Sequence, residues 1–332
     1  MKIAVLGAGA IGGLIAGYLK QNNVDVFLVG RPDSVSAIAK HGLAIRGVRG
    51  DFKVEIEAFE RLNEKPDLAI NCVKTQDIEE AARENLKYLS ESPVLTTQNG
   101  VEADNLLAKY IPKENIISSI VMFGSTYIKP AQIVHNFEGG WVIGRRFAPN
   151  DERVLRIKPV LEKIFPLTIS EDIQGMKYLK IFVNANNCIA AILGRSMQEV
   201  FSDLRISRIS IAIWREAMAI VNKCGINLTS LPDFPLERLT KLLDMPEEEA
   251  AKIFSGIMNN LSKEPLYGSI LQSIKRHRRS EIDYINGEFV RLANDNGLKA
   301  PLNERLVEMV HQVEKTQMFI PAEELISEIK TW

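Results

Sequence analysis

Cysteine is scarce in this chain of 332 residues, and its scarcity excludes two kinds of protein. The three cysteines, Cys72, Cys188 and Cys224, lie far apart and form no CxxC pair. They therefore support neither a disulfide framework nor a cysteine-rich metal site, and no metal is expected. Unpaired cysteines suit a reducing cytoplasm, which is the compartment we expect.

Long hydrophobic runs and an excess of either charge are also lacking. No apolar run reaches the roughly 18 residues of a membrane span, and no charged region precedes the first apolar stretch, so we expect neither a membrane partner nor a signal peptide. The formal net charge of −1 gives no general attraction to nucleic acid. The basic run 275–279 has no interleaved aromatic residues, which favours a solvated face over a nucleic-acid site.

The start of the chain carries the strongest pattern. An apolar run at 3–6 precedes glycines in the G-x-G-x-x-G spacing, and an apolar helix-like stretch follows. In a strand–turn–helix, the first glycine permits the tight turn, the second lets a pyrophosphate approach the backbone, and the third lets helix and strand pack closely. We predict that this loop binds a dinucleotide; the alternative is a glycine turn kept for packing alone. The loop residues are Gly7, Ala8, Gly9, Ala10, Ile11 and Gly12.

The chain is long for one core, and its pattern changes near residue 170. Strands and helices alternate before that point, whereas almost everything after it is helical. We predict an α/β fold in which a Rossmann-type dinucleotide-binding domain, 1–170, is followed by an all-helical domain, 171–332.

The end of the second apolar strand, 25–29, bears on the choice of dinucleotide. NAD-binding folds usually carry an acidic residue there for the ribose 2′-hydroxyl, whereas NADP-binding folds place an arginine nearby for the 2′-phosphate. This chain has Gly30 and then Arg31. We therefore predict NADP (NADPH), read by Arg31; the alternative is a solvated arginine, and the nearby Asp33 favours it.

Two further buried strands, 67–73 and 93–97, end in polar residues. Ligands of open parallel sheets bind beyond the carboxyl ends of the strands. We predict that Lys74, Gln76 and Asn99 face the cofactor or the substrate; the alternative is that they cap loops and turns.

Short strands fill the rest of the first domain. The segments 43–46 and 52–56 resemble the arms of a hairpin, and 133–137 and 141–144 have the pattern of antiparallel additions to the sheet. His135 alternates with apolar neighbours, which favours a structural strand residue over a catalyst.

The second half begins with a long apolar helix, predicted over 176–193. At about 100° per residue, Lys180, Asn184 and Asn187 form one polar stripe on it. A buried lysine flanked by amides can have a lowered pKa and act as a general acid. The alternative is a salt-bridged or snorkelling lysine.

Further helices are predicted over 206–222, over 246–260, from Ser280 to about Asn294, and from Pro301 onward as the final helix. The first of these is apolar and fits the helical core or a subunit contact in a homodimer.

Taken together, the glycine loop, the strand-end motifs, the Lys180-x-x-x-Asn184 pair and the Ser269…Glu281 spacing resemble the ketopantoate reductases (2-dehydropantoate 2-reductases) over essentially the whole chain. The resemblance implies NADPH-dependent reduction of 2-dehydropantoate to (R)-pantoate, with the active site in the cleft between a Rossmann and a helical domain.

The resemblance also implies roles for individual residues. Lys180 matches the catalytic lysine that protonates the ketone oxygen, and Glu281 a carboxylate that holds the substrate hydroxyl and orients the site. Substrate contacts are implied for Asn184, beside the lysine, for Ser269, which binds the carboxylate, and for Asn99, between nicotinamide and substrate. Cofactor contacts are implied for Lys74, Gln76 and Arg31, with Arg31 reading the 2′-phosphate.

Two positions depart from the family pattern. Cys188 stands where a second asparagine is usual, and Ser273 where many members have an aspartate. Either Asn187 supplies the amide that the second asparagine usually provides, or the substrate is a different 2-oxo acid. These two changes bear on the identity of the 2-oxo acid more than on the reaction type. The alternatives to ketopantoate reduction are a reductase of another 2-oxo acid, a relative of the glycerol-3-phosphate and opine dehydrogenases, or a non-catalytic NADP-binding sensor.

Overall fold

The computed structural model describes residues 1–262 and 264–329. The chain forms two compact units, Met1–Gln174 and Gly175–Trp332. The first is a mixed α/β unit and the second is helical, which confirms the predicted fold class. The units divide between Gln174 and Gly175, a few residues beyond the change of pattern near residue 170.

The strands of the first unit are β1 (Lys2–Leu6), β2 (Asp25–Val29), β3 (Leu43–Gly47), β4 (Phe52–Val54), β5 (Ala58–Phe59), β6 (Leu68–Asn71), β7 (Val94–Thr96), β8 (Ile116–Val121), β9 (Gly124–Lys129), β10 (Gln132–Phe137), β11 (Trp141–Gly144) and β12 (Leu167–Ile169).

Eight strands form the main sheet, in the order β12-β11-β8-β7-β6-β1-β2-β5. Strand β1 pairs in parallel with β2 and β6, and β6 pairs in parallel with β7. Ile3 and Val5 belong to one apolar core cluster and Ala4 and Leu6 to another. Strand β1 is thus buried on both faces, as its continuous apolar run predicts. The carboxyl ends of these parallel strands share one edge, which is where the polar strand-end residues lie.

A second sheet has the order β4-β3-β10-β9. The predicted hairpin is confirmed, because β3 and β4 pair in antiparallel fashion. The prediction for 133–137 was wrong in its partner: β10 joins β9 and β3 in this small sheet, whereas β11 does extend the main sheet, antiparallel to β8. Alternating polarity identifies a half-buried strand but does not identify its neighbour.

His135 on β10 is a structural residue, as expected. It is buried, its Nδ1 lies 2.8 Å from the Tyr18 hydroxyl, and its Nε2 lies 2.9 Å from the carbonyl oxygen of Phe137. Burial lowers its pKa, so the neutral ring is favoured.

The helices of the first unit are α1 (Ala10–Gln21), α2 (Pro32–His41), α3 (Ile78–Glu84), α4 (Leu86–Leu89), α5 (Ala103–Leu107) and α6 (Glu152–Leu161). Those that follow are α7 (Ile173–Ala185), α8 (Asn187–Leu193), α9 (Met197–Phe201), α10 (Leu204–Lys223), α11 (Leu236–Asp244), α12 (Glu247–Asn259), α13 (Ser269–Ile274), α14 (Asn286–Asp295), α15 (Pro301–Thr316) and α16 (Ala322–Ile329).

In the helical unit, three of the predicted helices differ from the structure, and α9, α11 and α13 were not predicted. The helix predicted over 176–193 is two helices, α7 and α8. The segment after Ser280 first forms a short 3₁₀ turn, Ile282–Tyr284, and only then α14. Helix α15 is not the last helix, because α16 follows it. Along α10, Ile206, Ile213 and Ala217 are among the buried residues, so much of its apolar face lies in the core.

Within the described residues, no helix combines the length and the apolar character that a membrane crossing requires.

Candidate active site

The glycine-rich loop connects β1 to α1, and backbone packing dictates two of its glycines. Gly7 has φ +101°, and a Cβ there would lie 2.8 Å from the Cys72–Val73 peptide. A Cβ at Gly12 would lie 2.0 Å from the carbonyl oxygen of Gly7. Only glycine allows both the turn and the close approach of α1 to the loop.

Gly9 lies in a different setting. A Cβ built there meets nothing within 4 Å, so open space faces its backbone. Gly9 is also the N-cap residue of α1, and no side chain caps that helix end. The first N–H groups of α1 therefore remain available to an anion, and the helix dipole favours one. This arrangement fits the pyrophosphate of a dinucleotide, with Ala8, Ala10 and Ile11 completing the loop.

The end of β2 leaves no room for a side chain at its tip. A Cβ at Gly30 would lie 2.9 Å from the Cβ of Ala8 in the glycine-rich loop. The acidic residue that NAD-binding folds place at the end of this strand would therefore displace the loop. Arg31 follows as the N-cap residue of α2, and its side chain is 61% exposed.

Lys74, Gln76 and Asn99 all lie at the carboxyl edge of the main sheet and are all partly buried. Lys74 is the N-cap residue of a 3₁₀ turn, Thr75–Asp77, that follows β6. Asn99 follows β7, the neighbour of β6. The structure thus groups these three residues with the glycine-rich loop and Arg31 at one edge of one sheet.

Gln98 has a positioning role that its sequence position did not reveal. Its Nε2 donates to the carbonyl oxygens of Asn71, at 3.0 Å, and Val73, at 2.7 Å, while its Oε1 accepts from the N–H of Thr97 at 3.1 Å. This buried amide joins the end of β7 to the turn that leads to Lys74. It fixes two strand ends relative to each other through backbone contacts.

Lys180 and Asn184 lie one turn apart on α7 and are both half-buried. Although Lys180 keeps some solvent exposure, the surrounding protein withdraws its ammonium group from bulk water and lowers its pKa to about 8. Desolvation is the cause, with no carboxylate contributing. The alternative of a salt-bridged lysine is therefore not supported among the described residues. Such a group can donate a proton near neutral pH.

The polar stripe drawn through Lys180, Asn184 and Asn187 assumed one continuous helix, and that assumption was wrong. Asn186 interrupts the helix between α7 and α8. The indole N–H of Trp214 on α10 donates to the carbonyl oxygen of Phe182 at 2.7 Å. A side-chain donor that bonds to a helix carbonyl competes with the i→i−4 backbone hydrogen bond. Such competition is a recognised cause of helix kinks.

Asn187 nevertheless lies beside Gly268, the residue that precedes the predicted serine. An ideal Cβ at Gly268 would meet the Cβ, Cγ and Oδ1 atoms of Asn187 at 3.1 to 3.2 Å. Gly268 directly precedes Ser269, which begins α13 and is exposed. The structure therefore brings Asn187 next to the segment that carries Ser269.

The two departures from the family pattern are both interior residues. Cys188 is 0% exposed, and burial raises its thiol pKa to about 12, so it is an inert thiol. Ser273 is 1% exposed, and its hydroxyl donates to the carbonyl oxygen of Ser269 at 3.0 Å.

Glu281 is half-buried and immediately precedes the 3₁₀ turn Ile282–Tyr284.

A polar network that the sequence did not suggest joins the helices that follow Glu281. The carboxylate of Glu216 accepts from the N–H groups of Leu302 and Asn303 at 2.9 Å, which caps α15. The side-chain amide of Asn286 then donates to that of Asn303 at 3.0 Å.

The predicted site residues thus fall into two sets, one in each unit. The glycine-rich loop, Arg31, Lys74, Gln76 and Asn99 form the first. Lys180, Asn184, Asn187, Ser269 and Glu281 belong to the second, where α7, α8, the start of α13 and the turn before α14 carry them. Among residues 1–262 and 264–329, no group of three or more metal-ligating side chains could hold a metal ion.

A mainly parallel sheet with this glycine-rich loop, followed by a helical unit with a desolvated lysine, is typical of dinucleotide-dependent oxidoreductases. Two family profiles match the chain: "Ketopantoate reductase PanE/ApbA" over residues 3–146, and its C-terminal counterpart over 172–314. The chain therefore belongs to the ketopantoate reductase family, and it is an oxidoreductase.

Individual relatives agree with this assignment. The 2-dehydropantoate 2-reductase of Pyrococcus abyssi is 30% identical over 91% of this chain and 94% of its own length. The solved structure of a PanE/ApbA family ketopantoate reductase from Ralstonia eutropha is 25% identical, has a TM-score of 0.79, and is matched over 96% of this chain and 99% of its own. A D-mandelate dehydrogenase solved with NADH and anilino(oxo)acetate shares the fold, with a TM-score of 0.83, 24% identity and coverage of 95% and 99%.

Proposed function

We propose that the protein reduces 2-dehydropantoate to (R)-pantoate with NADPH, a step toward pantothenate and coenzyme A. Lys180 is the observation that carries the proposal, because a desolvated ammonium group with a pKa of about 8 is suited to protonating a ketone. A non-catalytic NADP-binding sensor has no need for such a lysine.

Apart from NADPH, a small 2-oxo acid is the only partner that this reaction requires, and the cytoplasm is the compartment we propose. The homodimer stays a prediction.

The roles divide between the two sets of residues. The glycine-rich loop and the N-terminus of α1 bind the pyrophosphate, Lys74 and Gln76 contact the cofactor, and NADPH when bound supplies the hydride. Lys180 donates its proton to the ketone oxygen, so that the product is the alcohol and not an alkoxide.

Five polar side chains hold the substrate. Ser269 donates a hydrogen bond to its carboxylate, and Glu281 accepts one from its hydroxyl. Asn184 and Asn187 supply amides beside the lysine, and Asn99 contacts both nicotinamide and substrate.

NADPH is preferred over NADH in this proposal for two reasons. Arg31 is exposed and offers a guanidinium fork that suits a 2′-phosphate. The crowding of Gly30 by Ala8 leaves no space for the carboxylate that would bind a 2′-hydroxyl at the strand tip.

A second candidate is a reductase of a different 2-oxo acid, which the exchange to Cys188 and Ser273 favours. The interior placement of both residues argues against a direct effect on substrate choice, because neither presents appreciable surface to a ligand. Asn187, beside Ser269, supplies the amide that Cys188 lacks.

The deciding experiment follows nicotinamide absorbance with NADPH and a panel of 2-oxo acids. We expect ketopantoate to give the highest kcat/KM, and the product to be (R)-pantoate by chiral chromatography. A higher kcat/KM for another member of the panel would support the second candidate. Binding of NADPH without turnover of any 2-oxo acid would support the sensor.

The pKa of Lys180 predicts the pH profile. A general acid must carry its proton, and Lys180 loses that proton as the pH rises through about 8. We expect kcat/KM for ketone reduction to be level below this pH and to fall about tenfold per pH unit above it. Pantoate oxidation needs the neutral amine and should rise over the same range. An inflection near the ordinary lysine pKa of about 10.4 would contradict the assignment.

A further inference from the structure

An ion pair reaches across the end of the strand that carries the glycine-rich loop. Strands β2 and β6 flank β1 in the main sheet, and all three run parallel. Arg31 follows β2 and Asp77 lies in the turn after β6, so both lie at the same edge. The Arg31 Nη2 atom is 3.3 Å from Oδ2 of Asp77.

The contact is loose and solvent-exposed. It joins one nitrogen of a guanidinium that has five N–H donors, and the two side chains are 61% and 37% exposed. Exposed pairs of this kind contribute little to stability and exchange readily. Asp77 is also the N-cap residue of α3, but its side chain makes no capping hydrogen bond. The carboxylate of Asp77 is therefore not needed to start that helix.

We propose that Asp77 competes with the ribose 2′-phosphate for Arg31 and thereby sets the preference between NADPH and NADH. The inference rests on the proposed role of Arg31 as the reader of the 2′-phosphate. A phosphate bound to that guanidinium displaces the Asp77 carboxylate or lies close enough to be repelled by it. NADH has no 2′-phosphate, so its binding leaves the ion pair intact.

The acidic group that tempers the preference thus comes from the β6 side of the site. At the tip of β2, where NAD-binding folds place such a group, Gly30 has no room for one. Asp77 thus weakens the preference for NADPH that Arg31 provides, and NADH binding is unaffected by it.

The test measures cofactor affinity directly, by titrating NADPH and NADH against the fluorescence of the full-length protein. In Asp77→Asn, the shape is kept and the charge is removed. We expect the ratio of the Kd for NADH to the Kd for NADPH to rise about fivefold, almost entirely through tighter NADPH binding. An unchanged or smaller ratio would overturn the inference.

Asp33→Asn is the matched control. Asp33 is an exposed acid in the first turn of α2, close to Arg31 in sequence but not paired with it. In this variant we expect the ratio of the Kd for NADH to the Kd for NADPH to change less than about twofold. Asp33 carries the same charge as Asp77 but makes no contact with Arg31. An equal effect of both variants would contradict the ion-pair competition.

Arg31→Ala separates this inference from the proposed function. It should weaken NADPH binding far more than NADH binding. If both cofactors weaken equally, the assignment of Arg31 itself fails. If Arg31→Ala behaves as expected and Asp77→Asn leaves the ratio unchanged, only the role of Asp77 is refuted.

Discussion

Replacing Lys180 by alanine is expected to lower kcat for ketone reduction by about 10²- to 10⁴-fold, the usual contribution of a general acid. The ammonium group is desolvated and has no carboxylate partner among the described residues, so its loss removes the proton donor without breaking an ion pair. The Kd for NADPH should stay within about twofold of wild type, since the proposed cofactor contacts lie in the first unit. Stopped-flow absorbance of nicotinamide measures the chemical step.

Two controls make the Lys180 result specific. Lys252→Ala removes an exposed lysine on α12 that pairs with Glu248, and it should leave kcat unchanged. Added ethylamine should partly restore the rate of Lys180→Ala, because a small ammonium ion can supply the missing proton. A variant that keeps kcat within about threefold of wild type would refute the role of the lysine as general acid.

Local sequence patterns predicted where strands and helices occur better than they predicted which strands pair with each other. The apolar run of β1, the glycine spacing and the helix that follows are contiguous in sequence, so their interactions are local and readable. The strand at 133–137 was also recognised, but its pairing with β3 depends on residues some ninety positions away. The hydrophobic pattern of a strand does not encode that choice.

The break after Ala185 shows the same limit within a helix. The run from Met176 to Leu193 is mainly apolar and has no proline or glycine to mark an interruption. The interruption coincides with a hydrogen bond from Trp214, which is distant in sequence and adjacent in space. Projection along one helix therefore placed Lys180 and Asn184 correctly on a common face of α7. It treated Asn187 as part of the same helix, whereas Asn187 begins α8.

The residues of the candidate site show the same difference between short sequence motifs and contacts between distant parts of the chain. The glycine-rich loop, Arg31 and the Lys180–Asn184 pair are short motifs, and the sequence alone singles out each of them as a candidate. The contact between Arg31 and Asp77 joins two loops that only the strand order brings together. Gln98 was noticed at a strand end, but its use in holding the backbone of Asn71 and Val73 requires the structure.

Two single-methyl substitutions in the glycine-rich loop should have opposite consequences. Gly9→Ala is expected to fold with a free energy of unfolding within about 0.5 kcal/mol of wild type, because its Cβ meets no atom within 4 Å and its φ of −88° suits alanine. The same methyl group fills the space that we assign to the pyrophosphate. We expect the Kd for NADPH to rise about a hundredfold, equivalent to about 2.7 kcal/mol of lost binding.

Gly12→Ala should instead damage the protein itself. Its Cβ would lie 2.0 Å from the carbonyl oxygen of Gly7 and 3.0 Å from the Cβ of Cys72, so the loop or α1 must move. We expect a loss of at least about 1–3 kcal/mol in the free energy of unfolding, measured by urea denaturation. Gly256→Ala is the control: it meets no atom within 4 Å in α12, and it should stabilise the protein slightly while leaving NADPH binding intact.

The contrast between these glycines tests the dinucleotide site independently of the reduction. A loop kept for packing alone would make Gly12 essential and Gly9 dispensable, so a Gly9→Ala variant with unchanged NADPH affinity would remove the main structural support for the proposed cofactor site. A stable Gly9→Ala protein that no longer binds NADPH would instead mean that the open space beside its backbone is where the pyrophosphate lies. Isothermal titration of both variants with NADPH, together with their urea melts, distinguishes these outcomes.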